Sequence, residues 1–569
     1  MKTHLSRFTA FLLLVSLMVT GCYGESKPSS NQTTSPTAPA QQPAATPQPE
    51  PTAAASPQVL NVPAGNEIPN MNSTGVIDTL SNLVMNNVFE GLYRLDPNNK
   101  PVPGMAESYD VSADGKTYTF HLRKDEVWSN GKPVTAKDFE YAWRKALHPD
   151  TISPYAYMMV DIKNAAAIQD DKNPLFGKVD QLGAKATDDQ TFVVELENAV
   201  PYFLGLTAFP TFFPQSEEFV KEQGEKYALE AETLLYNGPF VLESWKHEEG
   251  WVYKKNPKYW DQASVKLEQV NAKVVKDVST RVNLYEAGEI DLAEITSDFV
   301  DQFKDTPGYS TYQKPEVFWI RMNQSNKFLA NVNIRKAFNM GWDKDSLAKV
   351  ILNDGSTAAD YMVPKNFVNG PDGQDFRAKY AGFSPFDAAK AQEHWKKGLA
   401  ELKTDKISLE FLSYDGESNK KIAEYIKNQL EKNLPGLTIT INMQPNKQKL
   451  ALEKKLSYEL DFSGWSPDYQ DPVAFVELYD TKGPYNWQKY SNPKYDELVR
   501  KAKTVFTDLN ARWADLQEAE RILIEEDAAI SPMYQKGVAL LTKPYVKGYV
   551  VHPFAAVASY KWVTIEGKQ

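Results

Sequence analysis

The sequence contains a single cysteine, few histidines and no excess of positive charge. One cysteine among 569 residues cannot form an intramolecular disulfide. The six histidines stand singly, and none has a second histidine or a cysteine at metal-ligand spacing, which argues against a structural zinc site. The formal net charge of −11 argues against a nucleic-acid partner. Beyond the N-terminal region, no segment is long and apolar enough to cross a membrane, which takes about 20 residues.

The lone cysteine stands where a bacterial lipid anchor is attached. A basic start and an apolar run over residues 8–19 precede Thr20-Gly21-Cys22. This order is typical of a secretory signal peptide, and its apolar core is too short to span a bilayer. We therefore predict a signal peptide over residues 1–21 and a lipid on Cys22 that tethers the protein to the bacterial cell membrane. An ordinary signal peptide with a chance cysteine, or a short membrane helix, is the alternative.

The segment that follows the cysteine is predicted to be a tether. Residues 22–57 consist mostly of Ser, Thr, Pro, Ala and Gln. Such a composition buries too little apolar surface to offset the entropy of folding, and its prolines stiffen the chain. We therefore predict a disordered linker over residues 22–57 and a folded body that begins at residue 58.

Helical and strand patterns alternate through this body, which predicts an α/β fold. Thr135 followed by Asp138 is typical of a helix start, with a hydroxyl cap and an acid in the first turn. Apolar residues that alternate, or a β-branched run, predict strands at 117–122, 191–196 and 438–443. Apolar residues spaced three or four apart predict helices at 418–433 and 511–526.

Motifs of common enzyme classes are incomplete. Gly115-Lys116-Thr117 resembles the end of a phosphate loop, but Asp110 stands where the loop needs a glycine. Residues 464–468 begin like a nucleophile elbow, yet an aspartate replaces the last glycine. No pair of carboxylates stands out as general acid and base. We predict a protein that is not an enzyme and that requires no metal and no cofactor.

Several blocks of the body resemble one family. Residues 106–125 (AESYDVSADGKTYTFHLRKD) and 128–139 (WSNGKPVTAKDF) are similar to the signature of the oligopeptide-binding family of extracytoplasmic solute-binding proteins. These proteins are the ligand-capturing components of ABC importers. Further similar blocks are FEGLYRLD at 89–96, NGPF at 237–240, KNPKYWD at 255–261 and GWSPDY at 464–469. The blocks follow the family's order over nearly the whole body.

The resemblance implies a two-lobed, periplasmic-binding-protein-like α/β fold with a hinge between the lobes and a small domain inserted in the first lobe. Lobe I is predicted to comprise residues 58–89, 212–316 and 535–569. Residues 90–211 form the inserted domain II, and residues 317–534 form lobe II, which is domain III. An extended ligand would lie between the closing lobes.

Asp468 is the most informative position that the resemblance identifies. In the family, the aspartate of this Gly-Trp-x-x-Asp-Tyr block pairs with the α-ammonium of the peptide. A carboxylate enclosed by two closing lobes loses water and needs a cation with good hydrogen-bond geometry in return. A peptide amino terminus supplies that cation whatever the side chains are. From the residue pattern alone, Asp468 would instead cap a turn beside Pro467.

Two backbone segments are implied to pair with the peptide. They are Gly464, Trp465 and Ser466 on lobe II, and Ile77, Asp78 and Thr79 on lobe I. Strand-like pairing is independent of ligand sequence, because every peptide presents the same N–H and C=O groups. Trp465 is alternatively a core residue or a lid over the first ligand residue. Asp78 is alternatively the N-cap of a helix that begins near Leu80.

Three positions depart from the family's pattern. Well-studied members hold the carboxylate end of short peptides with an arginine and a histidine, and Phe462 and Asn419 stand at those positions here. Asn446 stands near the place of a pocket tryptophan. We keep Asn419 among the predicted peptide-binding residues. Either another cation holds the carboxylate, or the ligand is longer, or it is not an ordinary peptide.

The resemblance thus implies a monomeric, lipid-anchored extracytoplasmic receptor that binds oligopeptides and delivers them to the membrane permease of an ABC importer. Only the closed, ligand-loaded form would dock productively. One alternative keeps the fold and changes the ligand to a metal complex, a sugar or a signalling peptide. Another is an extracytoplasmic enzyme or a chaperone-like adhesin, for which no residues can be assigned.

Overall fold

The computed structural model describes residues 56–75, 78–554 and 557–568. Its strands are β1 (Val59–Ala64), β2 (Tyr93–Leu95), β3 (Pro101–Pro103), β4 (Ala106–Val111), β5 (Thr117–Leu122), β6 (Ala184–Ala186), β7 (Thr191–Glu195), β8 (Phe240–Lys246), β9 (Gly250–Lys255), β10 (Gln269–Val274), β11 (Leu292–Ile295), β12 (Tyr309–Met322), β13 (Thr357–Ala358), β14 (Ile407–Tyr414), β15 (Leu437–Gln444), β16 (Leu460–Trp465), β17 (Ile530–Thr542), β18 (Val546–Lys547), β19 (Val550–Val551), β20 (Ala558–Ser559) and β21 (Thr564–Ile565). Its α-helices are α1 (Thr79–Val88), α2 (Ala136–Leu147), α3 (Ala165–Gln169), α4 (Phe203–Leu206), α5 (Glu217–Gln223), α6 (Val278–Glu286), α7 (Ser297–Phe303), α8 (Val332–Met340), α9 (Lys344–Ser346), α10 (Ala388–Leu402), α11 (Glu417–Asn433), α12 (Asn446–Lys454), α13 (Val473–Val476), α14 (Pro493–Thr504) and α15 (Leu509–Arg521). The predicted signal peptide, the predicted lipidation site Cys22, nearly all of the predicted linker, and Ile77 lie outside the described residues.

The elements predicted from periodicity are confirmed. The predicted strands correspond to β5, β7 and β15, and the helix at 418–433 is α11. The last predicted helix is α15, which continues as a π-helical turn over Ile522–Glu526. The helix start at Thr135 is also confirmed, because the Asp138 carboxylate accepts hydrogen bonds from the backbone N–H (2.7 Å) and the hydroxyl (3.1 Å) of Thr135.

A first lobe is built on a four-stranded sheet of order β1-β10-β9-β8. β1 and β10 pair in parallel, and the other neighbours are antiparallel. Its core combines apolar side chains from three distant parts of the chain, for example Leu60, Tyr253 and Val563. Because β1 and β10 are about 200 residues apart in the sequence, the sheet can form only after folding has brought these distant segments together.

A small domain is built on an antiparallel sheet of order β4-β5-β7-β6. Alternating apolar residues of β5 and β7 point to one side, where Phe120 and Phe192 are fully buried. α2 covers this side with an apolar stripe that includes Phe139 and Trp143, and the Trp143 ring packs edge-on against Phe192.

The third sheet joins the two lobes. This seven-stranded sheet has the order β11-β17-β12-β16-β14-β15, with β13 also paired to β17. β12 and β17 pair over two stretches, and the register shifts between Gln313 and Val317 of β12. In the first stretch β17 also pairs with β11, and in the second β12 also pairs with β16. The interruption falls on Lys314-Pro315-Glu316, and Pro315 has no N–H to donate to a ladder. The three residues thus separate the part of the ladder beside β11 from the part beside β16.

Two further cores fill the second lobe, which carries β14, β15 and β16. α8, α10 and α11 pack on one side of the sheet, and α13, α14 and α15 pack on the other. Within the described ranges, none of the helices is long and apolar enough to span a bilayer.

Candidate functional site

A cavity of about 480 Å³ lies where the two lobes and the small domain meet. Its walls come from α1, β12, the segment that follows β16, and the C-terminal region, and the small domain adds Tyr155 and Phe209. Three predicted ligand-binding residues line it, namely Thr79, Ser466 and Asp468. The volume lies within the range of about 300–1,000 Å³ that is usual for ligand pockets.

Asp468 presents a half-buried carboxylate to this cavity. The pKa of Asp468 is raised to about 6, because burial, aided by the negative charge of Glu477, outweighs a hydrogen bond that lowers it. The donor of that hydrogen bond is the Tyr157 hydroxyl. No cationic side chain forms an ion pair with Asp468 within the described part of the chain. The carboxylate is therefore partly dehydrated without a counter-charge from the protein.

Two tyrosines of the small domain complete the surroundings of Asp468. Tyr157 lies in the short 3₁₀ helix Ala156–Met159, and Tyr155 directly precedes that helix. Burial, together with the nearby negative charge of Asp468, raises the pKa of Tyr155 to about 12. Sequence reasoning missed both residues. No signal in the sequence identifies them, because they lie about three hundred positions from Asp468 and meet it only after folding.

The backbone of the Gly-Trp-Ser segment offers an open strand edge. β16 pairs with β12 from Leu460 to Trp465, but with β14 only at Leu460 and Asp461. On the side away from β12, the backbone from Ser463 to Ser466 has no strand partner within the described ranges. An extended peptide can add to such an edge through main-chain hydrogen bonds.

The side chains of this segment have different surroundings. A Cβ atom on Gly464 would lie 2.5 Å from the Phe318 ring, so ring packing by itself explains the glycine. The Trp465 ring is half-buried, and its centroid lies 5.1 Å from that of Tyr485 at the border of a second-lobe core. Ser466 is exposed to the cavity, whereas Gly464 and Trp465 are not among its lining residues.

On the first lobe, the structure shows the capping role of Asp78. Its carboxylate accepts a hydrogen bond from the Ser81 backbone N–H at 2.8 Å and caps α1. The N-cap interpretation is therefore confirmed, and it also fixes the position of the cavity-lining Thr79. The prediction of peptide contact for Asp78 remains a prediction.

The positions that depart from the family's clamp supply no charge. Phe462 is buried, and its ring lies 5.6 Å from Phe318 and 5.9 Å from Tyr414, measured between centroids. Asn419 lies in the first turn of α11, where its amide donates to the Asp415 carbonyl at 3.1 Å. Asn446 is the exposed first residue of α12.

A second cavity of about 240 Å³ adjoins the first. The two cavities share the lining residues Arg281, Glu294 and Lys314. Asn419 does not line either cavity, but its neighbours Ser418 and Lys421 line the second one. The interlobe space therefore continues from the carboxylate of Asp468 towards the start of α11.

A ligand-sized cavity between two lobes, which are joined by a pair of crossing strands, is the architecture of a solute-binding protein. Residues 100–487 match the family described as bacterial extracellular solute-binding proteins, family 5, middle part. The chain belongs to this family. The predicted family and the predicted two-lobed α/β fold are thereby confirmed.

Proteins that are similar in sequence or structure align with most of this chain. The dipeptide-binding protein DppE of Bacillus subtilis is 35% identical over 480 residues, which are 84% of this chain and 86% of the relative. The substrate-binding domain of an oligopeptide ABC transporter from Bacillus anthracis is 47% identical, with a TM-score of 0.76 and coverage of 90% of this chain and 99% of that one. Listeria monocytogenes OppA bound to peptide is 39% identical, with a TM-score of 0.75 and coverage of 90% and 100%.

Proposed function

We propose that this protein is an extracytoplasmic receptor that binds oligopeptides between its lobes and delivers them to the membrane permease of an ABC importer. The observation that carries this proposal is the half-buried Asp468 carboxylate, which faces the interlobe cavity without a protein cation. The similar proteins include one named for dipeptide binding and one whose structure contains a peptide. The protein is proposed to act as a monomer and without catalysis.

The site combines one charge contact with sequence-independent backbone contacts. A peptide α-ammonium supplies the cation that Asp468 lacks, and the exchange is favourable because water is already partly removed from the carboxylate. From this fixed end, the peptide backbone pairs with the open edge at Gly464, Trp465 and Ser466. On the opposite wall we propose contacts with Thr79 and its neighbours Asp78 and Ile77. Asn419 is proposed to contact longer ligands near the second cavity.

Closure of the lobes follows from the same geometry. A ligand that touches both lobes stabilises the closed form by its differential affinity for that form. We propose the lobe boundaries stated for the sequence, with the hinge at the interruption between β12 and β17. Support comes from the cores, because each draws its buried side chains from the segments assigned to one lobe or to the inserted domain, with few exceptions.

Peptide affinity is expected to depend on a free amino terminus and to rise with pH between 5 and 7. Asp468 has a pKa of about 6 without ligand, and the ammonium lowers that pKa in the complex. Below pH 6, binding must therefore expel a proton, and affinity falls by up to about tenfold per pH unit. Calorimetry with trialanine from pH 4.5 to 7.5 measures this, with N-acetyl-trialanine as the control. Equal affinity for the two peptides, or a flat pH profile, would contradict the proposed capture of the ammonium.

We infer that the mature protein is held at the membrane by a lipid on Cys22. The support is the order of basic start, apolar run and Thr20-Gly21-Cys22. Cys22→Ser is expected to release the protein from the membrane fraction and to abolish its labelling by an alkyne-bearing palmitate. Retention of label in this variant would refute the anchor.

A further inference from the structure

We propose that Arg281 and Lys314 bind the C-terminal carboxylate of a short peptide whose amino end is held by Asp468. This inference rests on the proposed function and extends it to the residues that bind the C-terminal end of the peptide. The two cations lie in the wall that is common to both cavities. They would replace the clamp that the family builds at the positions of Phe462 and Asn419.

The second cavity has more positive than negative side chains. Its lining includes the cations Arg281, Lys314, Lys421 and Lys536 and the carboxylates Glu294 and Asp354. One of these carboxylates has a cationic partner, and the other has a neutral hydroxyl as its partner. Asp354 pairs with the Lys536 ammonium at 2.6 Å, and Glu294 accepts a hydrogen bond from the Tyr312 hydroxyl at 3.0 Å.

Among the described residues, two of the four cations form ion pairs with acids and two do not. Lys536 is paired with Asp354, and Lys421 lies 3.3 Å from Glu417 and 3.7 Å from Asp298. Within the described residues, the Arg281 guanidinium donates to the backbone carbonyls of Val275 (2.8 Å) and Lys276 (3.2 Å) and forms no ion pair, although its charge lowers the pKa of Asp277.

Lys314 is the second cation without a contacting carboxylate. Its ammonium forms no ion pair within the described part of the chain. Two acids lie in its surroundings: Glu294 lines the same wall, and the pKa of Glu316 is raised by burial and lowered by the charges of Lys314 and Lys536.

A carboxylate fits this pair better than other ligand groups do. A guanidinium presents two parallel donors to a carboxylate, and an ammonium adds a third donor from another direction. Arg281 lies on α6 of the first lobe, and Lys314 lies at the proposed hinge between β12 and β17, within the residues assigned to that lobe. An anion that binds both residues is therefore held by the first lobe and faces the second-lobe residues Ser418 and Lys421 across the second cavity.

The position also agrees with the sequence departures. Asn419, which replaces the family's histidine, is flanked by Ser418, and Ser418 and Lys421 line the second cavity. The position that the family's histidine would occupy and the two proposed cations therefore lie at the same cavity. We infer that the carboxylate anchor has moved across this space from the second lobe to α6 and the hinge.

Calorimetry with alanine peptides of two to six residues tests the anchor, because their only charges are at the ends. Each peptide is measured as the free acid and as the C-terminal amide at low ionic strength. For the best-bound length, we expect the wild-type protein to prefer the acid at least tenfold. In the double variant Arg281→Gln/Lys314→Gln, this preference is expected to fall below about twofold, with amide affinity changed less than about threefold.

A matched control removes two positive charges elsewhere in the same lobe. Lys266→Gln/Lys304→Gln changes two exposed lysines that line neither cavity, and it should keep the preference for the acid. The anchor would be overturned if the wild-type protein bound acid and amide equally well at every peptide length. It would also be overturned if Arg281→Gln/Lys314→Gln kept the preference for the acid. Failure of the proposed function would give a different result: either no free-amine peptide binds, or N-acetylation of the peptide does not lower its affinity.

Discussion

Replacing Asp468 with asparagine is expected to weaken the binding of free-amine peptides by at least tenfold, or about 1.4 kcal/mol. Asparagine keeps the shape of the side chain and can still accept the hydrogen bond from the Tyr157 hydroxyl. The change therefore removes the negative charge and little else. Truncating one partner of a buried, hydrogen-bonded charge pair commonly costs about 2–5 kcal/mol, so tenfold is a lower bound.

The measurement is calorimetry of trialanine at pH 7.5, with N-acetyl-trialanine beside it. The variant should bind the two peptides with similar affinity and should lose the pH dependence expected for the wild type. Glu477→Gln is the matched control, because Glu477 is the neighbouring acid that raises the pKa of Asp468 and it does not line the cavity. Equal trialanine affinity for the wild type and Asp468→Asn would remove the role of Asp468.

Replacing Lys449 with methionine is expected to destabilise the second lobe by about 3–5 kcal/mol. The Lys449 side chain is fully buried, and its ammonium lies 2.6 Å from Asp461 and also contacts Glu453. Arg321 contacts the same two acids at 3.1 Å and 3.5 Å. Methionine fills a similar volume, but it leaves two buried acids with a single cation, and such an uncompensated charge is costly.

Urea unfolding followed by tryptophan fluorescence measures this loss, since the Trp487 ring lies 5.3 Å from the Arg321 guanidinium. Lys447→Met is the matched control, because Lys447 is exposed on the same helix, α12. The control should unfold at the wild-type urea concentration. Coinciding transitions for Lys449→Met and Lys447→Met would show that the buried cluster contributes nothing to stability.

Local structure was predictable from the sequence where the pattern is short-range. The alternation in β5 and β7 and the four-residue spacing in α11 depend on neighbours within one element. The capping pair of Thr135 and Asp138 likewise lies within one turn. The family resemblance extended this to the two-lobed fold, which no local pattern determines.

The site was predictable only in part, and the reason is physical. Asp468 belongs to a motif, so the resemblance identified it, although its residue pattern alone favoured a turn cap. Tyr157 and Arg281 belong to no motif and come near the ligand space because separate lobes fold against one another. For Asp78 the situation is reversed. A local pattern predicted its role as a helix cap, whereas any contact with a ligand depends on residues distant in the sequence.

The open edge of β16 also bears on solubility. An unpaired strand edge on an outer surface is a template on which other chains can add and aggregate. Here the edge is only a few residues long, lies beside a cleft, and is followed at once by Pro467, which has no N–H with which to continue a ladder. The position and shortness of this edge therefore limit edge-to-edge pairing with the sheet of another molecule, while the same backbone groups remain open towards the cleft.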